Sequence, residues 1–441
     1  MAQPPAPASG ADETDAGSGD AAANGPDEIH APHALLANPS LLGRELCVGG
    51  RWLRSDRGSQ IADAFAALDV ELRTQPAASP ADPSAAAPFA GAPVAGALVV
   101  ARGHWNGRAL LGARLIEHQP PVSPGLPEEF ARAFHAGVGR RLQLRAGVLG
   151  EIRRFFLERD FLEVDTPIRV SECAIEPHIV SLRSADRYLI TSPELYMKRL
   201  LVAGVPRLFQ LVHCFRGEEV GPLHAPEFLM LEWYRAFAGW RQLLDDTERL
   251  LAQICERVQG GSELSLPNGH RIDLRPPFAR LSVREAFTRF AGVSDAAELA
   301  ARDEDQFFQL LVDRVEPALA SFSQPVFLYD YPSSQAALAR RNPSDPGVAE
   351  RFELYVGGIE LCNGFGELND AAEQRRRSEL DRERCRALAR HAPQLPEQFL
   401  RALEHGMPRA SGNALGVDRL VMLLAGETTI EAVRPFPTEA V

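Results

Sequence analysis

The sequence predicts an α+β protein in which an antiparallel sheet flanked by helices, over residues 136–441, follows a small β-rich domain. Two observations support this prediction. Helix-like and strand-like patterns alternate through the second part of the chain, whereas residues 36–118 contain only short apolar stretches separated by Gly, Pro and Asp. The chain of 441 residues is also longer than the roughly 100 to 200 residues of most single domains. We therefore expect two folded units.

The first part of the chain divides into three segments by composition. Residues 1–35 consist mostly of Ala, Pro, Gly, Asp and Glu, which bury too little apolar surface to fold, so a disordered acidic tail is predicted there. Residues 36–118 fit a small antiparallel barrel, either OB-like or a β-module without a ligand. Residues 119–135 form a Pro-rich linker, and the second domain is expected from residue 136.

Local signals in the second domain define its elements in order. An apolar helical face over residues 148–156 is followed by a strand that Pro167 ends. Ser192 and Pro193 supply an N-cap and a first-turn proline for a helix that Gly204 ends. Further on, the pattern predicts strands at 208–216, 228–237 and 326–331, a hairpin around 357–358 and an apolar helix at 417–424.

Composition argues against several classes of function. The net charge is −12 without a basic block, so the bulk attraction typical of nucleic-acid-binding proteins is missing. Six scattered cysteines without a C-x-x-C pair indicate reduced thiols, and no basic leader or apolar run of membrane-spanning length is present, so a cytoplasmic protein without a membrane partner is predicted. Lys198 is the sole lysine, and the phosphate-loop motif is absent, so any ATP chemistry would depend on arginines, a metal and backbone groups.

Three segments of the second domain resemble motifs 1, 2 and 3 of the class II aminoacyl-tRNA synthetases in order and spacing. They run from Arg153 to Pro167, from Phe215 to Phe228 and from Gly412 to Leu420. The resemblance implies a class II catalytic domain, built on an antiparallel sheet flanked by helices, that uses ATP to activate an amino acid as an acyl-adenylate.

Further segments narrow the resemblance to the lysine subclass. The segments from Thr191 to Leu200 and from Arg351 to Asp370 are similar to lysyl-tRNA synthetases. Those from Met197 to Gly204, Leu231 to Arg235 and Ala414 to Leu423 resemble the elongation factor P lysine ligases, a paralogous family that attaches (R)-β-lysine to a protein lysine. The resemblance covers about residues 140–441.

The two predicted catalytic residues are arginines. Adenylation places charge on the α-phosphate and on the departing pyrophosphate, so fixed cations are needed at both ends. Arg216 at a strand end is expected to bind the α-phosphate and the carboxylate, and Arg419 in the first turn of a helix is expected to bind the γ-phosphate. The nucleotide contacts that the resemblance implies are Arg216, Glu218, His224, Phe228 against the adenine, Glu360, Leu361, Gly416 and Arg419.

Carboxylates account for the other predicted sites. Mg²⁺ takes carboxylate oxygens, and the resemblance implies that Glu353 and Glu360, on two arms of a hairpin, bind it beside ATP. Glu367 is implied to bind the side-chain amine of the lysine substrate. The full set of predicted substrate-binding residues is Ser192, Glu194, Glu232, Tyr234, Asn363, Phe365, Glu367 and Ala414.

Three positions depart from the family pattern. Gly217 and Ala225 stand where the family has Asn, and Gly366 replaces a His or Ser. We expect that Ala225 loses a contact to ATP, which would lower the affinity for the nucleotide without changing the fold.

Three functions fit these observations. The first is activation of lysine or (R)-β-lysine and its transfer to a lysine of elongation factor P, which Ala414 favours because the resemblance to lysyl-tRNA synthetases would imply Gly there. The second is a lysyl-tRNA synthetase that charges tRNA(Lys), with residues 40–118 as an anticodon-binding barrel; the acidic net charge argues against it. The third is a non-catalytic regulator that binds amino acids. The motif 1 resemblance also implies a homodimer.

Overall fold

The computed structural model describes residues 28–55, 58–73, 93–123 and 125–438, and the chain divides into two units after Gly137. Residues 1–27, most of the predicted tail, lie outside the described residues, as do residues 74–92, which hold most of a Pro/Ala-rich insert. Within the described ranges, no helix has the length and apolar character needed to cross a membrane.

The first unit contains a closed barrel of five strands. Its elements are β1 (Ile29–His30), α1 (Pro32–Ala37), a 3₁₀ turn (Pro39–Leu41), β2 (Glu45–Ser55), β3 (Gly58–Ala62), β4 (Ala67–Leu72), β5 (Leu98–Trp105) and β6 (Ala109–Gln119). The order β2-β3-β4-β6-β5 closes through pairing of β5 with β2, and β4 and β6 are parallel. Alternate strand residues such as Val48, Trp52 and Leu110 are fully buried inside the barrel. The arrangement is like that of OB-type barrels, and the predicted β-rich N-terminal region is confirmed.

The barrel unit begins before residue 36, which is the boundary predicted from the sequence. Ile29 pairs with Cys47 in a parallel register, and Leu35 of α1 is only 1% exposed in the barrel core. The Asp63 carboxylate also accepts a hydrogen bond from the backbone N–H of His33 at 2.9 Å. One short helix among small and acidic residues has too little apolar periodicity to be recognised from sequence.

The second half of the predicted linker is helical. Helix α2 (Glu128–Phe130) continues into a π-helical turn (Ala131–His135). The acidic Glu128 and Glu129 lie in its first turn, where the helix dipole favours negative charge.

The second unit, Val138–Val441, consists of a large sheet with helices around it. Its helices are α3 (Val138–Leu157), α4 (Glu194–Val202), α5 (Trp240–Gln259), α6 (Val283–Ala286), α7 (Ala296–Arg302), α8 (Glu304–Leu310), α9 (Glu316–Leu319), α10 (Ala371–Ala387), α11 (Glu397–Glu404) and α12 (Val417–Leu424), with π-helical turns at Phe287–Ala291 and Leu311–Val315 and 3₁₀ turns at Ser333–Gln335 and Ile430–Val433. Its strands are β7 (Leu162–Glu163), β8 (Arg169–Val170), β9 (Arg183–Ser184), β10 (Arg187–Leu189), β11 (Arg207–Phe215), β12 (Glu227–Ala236), β13 (Glu263–Ser265), β14 (Arg271–Asp273), β15 (Ala279–Ser282), β16 (Val326–Pro332), β17 (Arg341–Asn342), β18 (Asp345–Val356), β19 (Ile359–Gly366) and β20 (Ala410–Gly416).

The main sheet has the order β15-β16-β18-β19-β20-β12-β11-β7, with β17 paired to β18. Neighbouring strands are antiparallel in the centre, and only the end pairs β15–β16 and β11–β7 are parallel. Two small sheets, β8-β10-β9 and β13-β14, lie apart from it. The predicted fold class, an antiparallel sheet flanked by helices, is confirmed.

The two-residue period of strand β12 separates the hydrophobic core from the functional face. Leu229, Leu231 and Trp233 belong to the buried cluster that also contains apolar residues of α3, α5 and α12. The alternate residues Glu232 and Tyr234 point to the other face. One face of the sheet therefore anchors the helices, and the opposite face is available for binding.

The predicted hairpin joins β18 and β19. Gly357 and Gly358 have φ of 58° and 82°, which suits the tight turn between antiparallel strands. The turn leaves Glu353 and Glu360 on its two arms.

Candidate active site

A cavity of about 670 Å³ opens on the free face of the main sheet. Every residue predicted for the catalytic, substrate, nucleotide or metal site lines it except Glu218. Glu218 is exposed and has a left-handed backbone with φ of 66°, while the next residue, Glu219, lines the cavity instead. A left-handed position at a non-glycine residue is not readable from sequence, so the sequence did not show which member of this acidic pair lines the cavity, and the nucleotide contact of Glu218 stays a prediction.

Strand register assembles the substrate side from two rows of residues that cross four strands. The first row, from β18 to β12, is Glu353, Asn363, Ala414 and Glu232. The second row is Arg351, Phe365, Gly412 and Tyr234. Residues far apart in the sequence therefore become direct cross-strand neighbours on one face.

The close approach of Tyr234 and Glu367 requires glycine between them. A Cβ at position 412 would lie 2.2 Å from Cε1 of Tyr234 and 2.5 Å from Oε1 of Glu367. The absence of a side chain at Gly412 thus lets the aromatic ring and the carboxylate meet over the sheet.

A hydrogen-bonded chain fixes the carboxylate of Glu232. Ser192 donates to Oε1 of Glu232 at 2.5 Å, and the Tyr234 hydroxyl donates to Oε2 at 2.9 Å. The backbone N–H of Glu194 in turn donates to the Ser192 hydroxyl at 3.0 Å. Burial, with a further contribution from the nearby Glu194 carboxylate, raises the pKa of Glu232 to about 8. The carboxylate is held in place and would be stabilised by an arriving cation.

Lys198 is fully buried beneath this cluster. Its ammonium group pairs with Glu194 and lies 2.5 Å from Oε2 of Glu367. Burial alone would lower the pKa of Lys198, but the two carboxylates raise it, so the lysine stays charged. Burial raises the pKa of Glu367 to about 7 against the opposing effect of Lys198. Three acidic groups, including Glu232, thus share this region with a single lysine, and a cationic ligand would favour the ionised form of the two groups whose pKa is raised.

Arg216 lies on the nucleotide side of the cavity. Its guanidinium carbon is 5.1 Å from the ring centroid of Phe228 and its Nη1 is 3.9 Å from Oε1 of Glu219. Its Nε is buried and has no hydrogen-bond partner among the described residues. A buried, unsatisfied guanidinium N–H is a donor placed for an anionic ligand.

Arg419 projects from the first turn of α12 and is held by several acceptors. It donates to the carbonyl oxygens of Glu360 at 2.7 Å and Leu223 at 3.3 Å, and to Nε2 of His224 at 2.7 Å. Burial, aided by Arg419, lowers the pKa of His224, which agrees with a neutral imidazole that accepts this hydrogen bond. The fixed guanidinium and the helix N-terminus together form an anion-binding corner.

The two hairpin carboxylates differ in their partners. Glu353 is buried, accepts hydrogen bonds from Tyr331 and Tyr355, and pairs with Arg351 at 2.6 Å. Glu360 is half-exposed, and burial together with the nearby Glu353 carboxylate raises its pKa. No group of three or more His, Cys, Asp or Glu in the described ranges is arranged to hold a metal ion.

The three positions that depart from the family pattern differ in the space around them. A Cβ at Gly366 would lie 2.1 Å from Oε2 of Glu350, because an ion pair between Glu350 and Arg340 occupies that space. A Cβ at Gly217 would lie 3.0 Å from Leu182, so a larger side chain would require a shift there. Ala225 is 2% exposed, lines the cavity and offers no polar group.

Sequence reasoning missed four residues that complete the site. Glu176, Glu219 and Arg351 line the cavity, and Lys198 neutralises two of its carboxylates. Lys198 carried a usable signal, because it is the sole lysine of an arginine-rich chain. Glu176 carried none, since it lies in an irregular segment without a recognisable motif.

Comparison with known proteins identifies the family of the chain. The family model of class II tRNA synthetases (D, K and N) matches residues 126–440. The chain is 41% identical over 311 residues to an elongation factor P (R)-β-lysine ligase of Hamiltonella defensa, a match that covers 67% of this chain and 94% of that protein. Ligases of the same name from Klebsiella pneumoniae and Proteus mirabilis are 42% and 40% identical, over 67% and 66% of this chain and 94% and 93% of their own lengths. The chain therefore belongs to the class II tRNA synthetase (D, K and N) family and, within it, to the group that includes the elongation factor P (R)-β-lysine ligases.

Proposed function

We propose that the protein activates lysine or (R)-β-lysine with ATP as an aminoacyl adenylate and transfers the aminoacyl group to a lysine side chain of elongation factor P. The observation that carries this proposal is the single cavity that joins the carboxylates of Glu194, Glu232 and Glu367 to the arginines Arg216 and Arg419. The ligase name of relatives that match over nearly their whole lengths supports the same reaction.

The carboxylate cluster accounts for selection of a lysine-like substrate. Oε1 of Glu367 is buried and has no hydrogen-bond partner in the described part of the chain, although Oε2 pairs with Lys198. An ammonium group that reaches Glu367 would satisfy this oxygen, and a second amino group would meet Glu232 and Glu194. A neutral side chain of equal length would leave these charges unpaired, so the pocket would reject it.

The two arginines account for adenylation. When the substrate carboxylate attacks the α-phosphorus of ATP, a bond from oxygen to phosphorus forms and pyrophosphate leaves. Arg216 would stabilise the charge on the α-phosphate, with Phe228 beneath the nucleotide base, and Arg419 would bind the departing phosphates at the start of α12. Because both guanidinium groups are held in advance, little reorganisation is needed at the reacting atoms.

Glu353 and Glu360 fit a bound Mg²⁺. Mg²⁺ usually takes one or two carboxylates and completes its shell with water and phosphate oxygens, so a cluster of three protein ligands is not required. Glu353 has about four lone-pair positions, and the donors Tyr331, Tyr355 and Arg351 use three of them. The ion, when bound, would neutralise charge on the phosphates.

One observation favours the second candidate, a tRNA synthetase. The OB-like barrel belongs to a class of domains that bind oligonucleotides. It precedes residue 126, where the match to the family model begins, so the barrel is an addition to the catalytic domain. Such binding uses exposed aromatic rings. In the described part of the barrel, however, Trp52 and Trp105 are 0% and 2% exposed, and Phe65 packs against His33. The barrel thus lacks a stacking platform there, and the protein acceptor is favoured.

A homodimer and a cytoplasmic location also remain predictions. The edge strand β7 and its surroundings carry exposed apolar residues, including Leu157 and Leu162 at 54% each and Ile168 at 40%. Motif 1 would place this edge against a second copy, where these side chains would be buried. Sedimentation of the purified chain would measure the assembly directly.

Exchange of labelled pyrophosphate into ATP tests the activation step. We expect exchange with α-lysine or (R)-β-lysine and none with norleucine, which has no side-chain amine. Exchange with norleucine at a similar rate would contradict the role of the carboxylates. No exchange with any lysine isomer would favour the third candidate, the non-catalytic regulator.

A further inference from the structure

Part of the cavity wall contains none of the residues that we assign to ATP or to the amino acid. The first arm of the cavity contains the arginines of the nucleotide side, and the second arm contains the carboxylates of the amino-acid side. The third, which we call the acceptor arm, is formed by an irregular segment around residues 175–179, by α8, by the 3₁₀ turn at Ser333–Gln335 and by α10. Its charged and polar residues are Glu176, His178, Glu304, Ser333, Ser334, Gln335, Arg341, Arg376, Arg377, Asp381 and Arg384.

Contacts within the protein fix the walls of this arm. Arg377 of α10 donates to the carbonyl oxygens of Ala337 and Ala339 at 2.9 and 2.8 Å, which fastens the helix to the wall beside it. Arg390 donates to the carbonyl oxygen of Pro177 at 2.9 Å and anchors the irregular segment. The same segment is tied to the nucleotide side, because the backbone N–H of Gly217 donates to the carbonyl oxygen of Val180 at 2.8 Å. These contacts hold the wall of the arm in place.

Several arginines along the arm are already paired. Arg376 is bound by Glu373 at 2.8 Å, and Arg384 lies 3.6 Å from Asp381. Arg341 is exposed at the mouth. Glu304 accepts only from the neutral amide of Gln335 among the described residues, at 2.9 Å, so its charge is not neutralised. The interior of the arm therefore favours a cation over a phosphate.

Glu176 lies where this arm meets the reacting centre. It is part-buried, and its carboxylate has neither a hydrogen bond nor a salt bridge within the described ranges. The charged groups near it are Arg216, Glu194, Asp381 and Glu219, three acids and one base. Glu176 and Arg216 line the same cavity, and Arg216 is the residue assigned to the α-phosphate and the substrate carboxylate, so a group bound at Glu176 would share the cavity with the carbonyl carbon that must be attacked.

We propose that the acceptor arm receives the ε-ammonium group of the acceptor lysine and that the Glu176 carboxylate binds this group and takes one proton from it. The inference rests on the proposed function, because it concerns the second half-reaction. The freed amine attacks the carbonyl carbon of the adenylate, the C–N bond forms, and the C–O bond to the phosphate breaks with its electron pair leaving on AMP. The nitrogen then carries one proton more than an amide does, and this second proton of the former ammonium passes from the nitrogen to water.

The protonation behaviour of Glu176 suits this role. Burial raises the pKa of Glu176 to about 7, while Arg216 opposes the shift. A lysine amine has an ordinary pKa of about 10.4, so the raised value brings the carboxylate closer to the proton donor than an exposed Glu would be. A base with a pKa near the working pH is the efficient choice for such a transfer.

Three measurements on one set of variants test the inference. They are pyrophosphate exchange, transfer of labelled (R)-β-lysine to purified elongation factor P, and hydroxamate formation with hydroxylamine, whose amine is already neutral at pH 7. In Glu176→Gln we expect the ratio of transfer to exchange to fall by about 100-fold, the usual size of a general-base effect. The ratio of hydroxamate formation to exchange stays at the wild-type value, and Glu176→Asp recovers part of the transfer.

The control is Glu256→Gln, which removes the same charge at an exposed residue of α5 that does not line the cavity. It should leave all three rates unchanged. Wild-type transfer ratios in Glu176→Gln would overturn the inference alone, as would an equal loss of hydroxamate formation, since Glu176 would then act on the adenylate. Transfer by the wild-type protein to lysine tRNA instead of elongation factor P would overturn the proposed function and the inference together.

Discussion

Lys198 and Glu367 form a buried ion pair, with the ammonium nitrogen 2.5 Å from Oε2 of the carboxylate and both residues at most 1% exposed. The pair connects α4 to the end of β19, and through Glu194 it extends to the start of α4. It holds in place the carboxylate that we assign to the amine of the substrate. The ammonium group of Lys198 thus holds in place the carboxylate that would bind the ammonium group of the substrate.

Replacement of Lys198 by Met should destabilise the protein. The change leaves Glu194 and Glu367 buried without their partner, and breaking a buried ion pair typically costs about 3 to 5 kcal/mol of the free energy of unfolding. Urea unfolding of the two proteins measures the difference. The control Arg271→Met removes a cation whose side chain is 74% exposed and should change little. Equal stability of Lys198→Met and wild type would contradict the assigned pairing.

Glu232 should make stability depend on pH. Because its pKa is raised from 4.5 to about 8 in the folded protein, the folded state binds more protons than the unfolded state between these values. The free energy of unfolding should therefore fall as pH rises through this window, by at most about 1.4 kcal/mol per pH unit for one group. Urea unfolding across the window should give a shallower slope for Glu232→Gln. An unchanged slope would show that Glu232 is not the titrating group.

Replacement of Gly412 by Ala should impair amino-acid binding selectively. The new methyl group would collide with Tyr234 and Glu367, while the arginines of the nucleotide side lie elsewhere in the cavity. We expect KM for lysine in pyrophosphate exchange to rise at least about tenfold and KM for ATP to change much less, since displacements of about 1 Å are enough for such losses. Gly150→Ala in α3 is the control, because outside its own helical turn no atom of the described residues lies within 4 Å of the added Cβ. A parallel rise of both KM values would argue against the assignment.

Replacement of Arg216 by Ala should abolish pyrophosphate exchange. Removing one fixed donor from a developing charge commonly costs about 100- to 1,000-fold in rate. The control Arg284→Ala removes an arginine whose side chain is 62% exposed, outside the cavity. Normal exchange in Arg216→Ala would refute the phosphate assignment.

The sequence was sufficient to predict which face of the sheet carries the functional side chains. A two-residue period predicted that Glu232 and Tyr234 share one face of a strand, and both line the cavity. The family resemblance singled out Glu353 and Ala414, which line it as well. The strand predicted at 326–331 is confirmed as part of β16 (Val326–Pro332).

What the sequence could not supply depends on loops and on contacts between distant segments. The ion pair from Lys198 to Glu367 joins residues that no local pattern relates. The exchange of Glu218 for Glu219 on the cavity wall depends on one left-handed backbone angle. Glu176 reaches the site on an irregular segment that is held by contacts with distant residues, Arg390 and Gly217.

Label transfer from the adenylate to two offered acceptors tests the central claim most directly. The protein is incubated with ATP, Mg²⁺ and labelled (R)-β-lysine or α-lysine, together with equal amounts of purified elongation factor P and lysine tRNA. We predict that the label appears on a lysine of elongation factor P and that the tRNA stays unlabelled. Label on the tRNA, with none on elongation factor P, would contradict the proposed function.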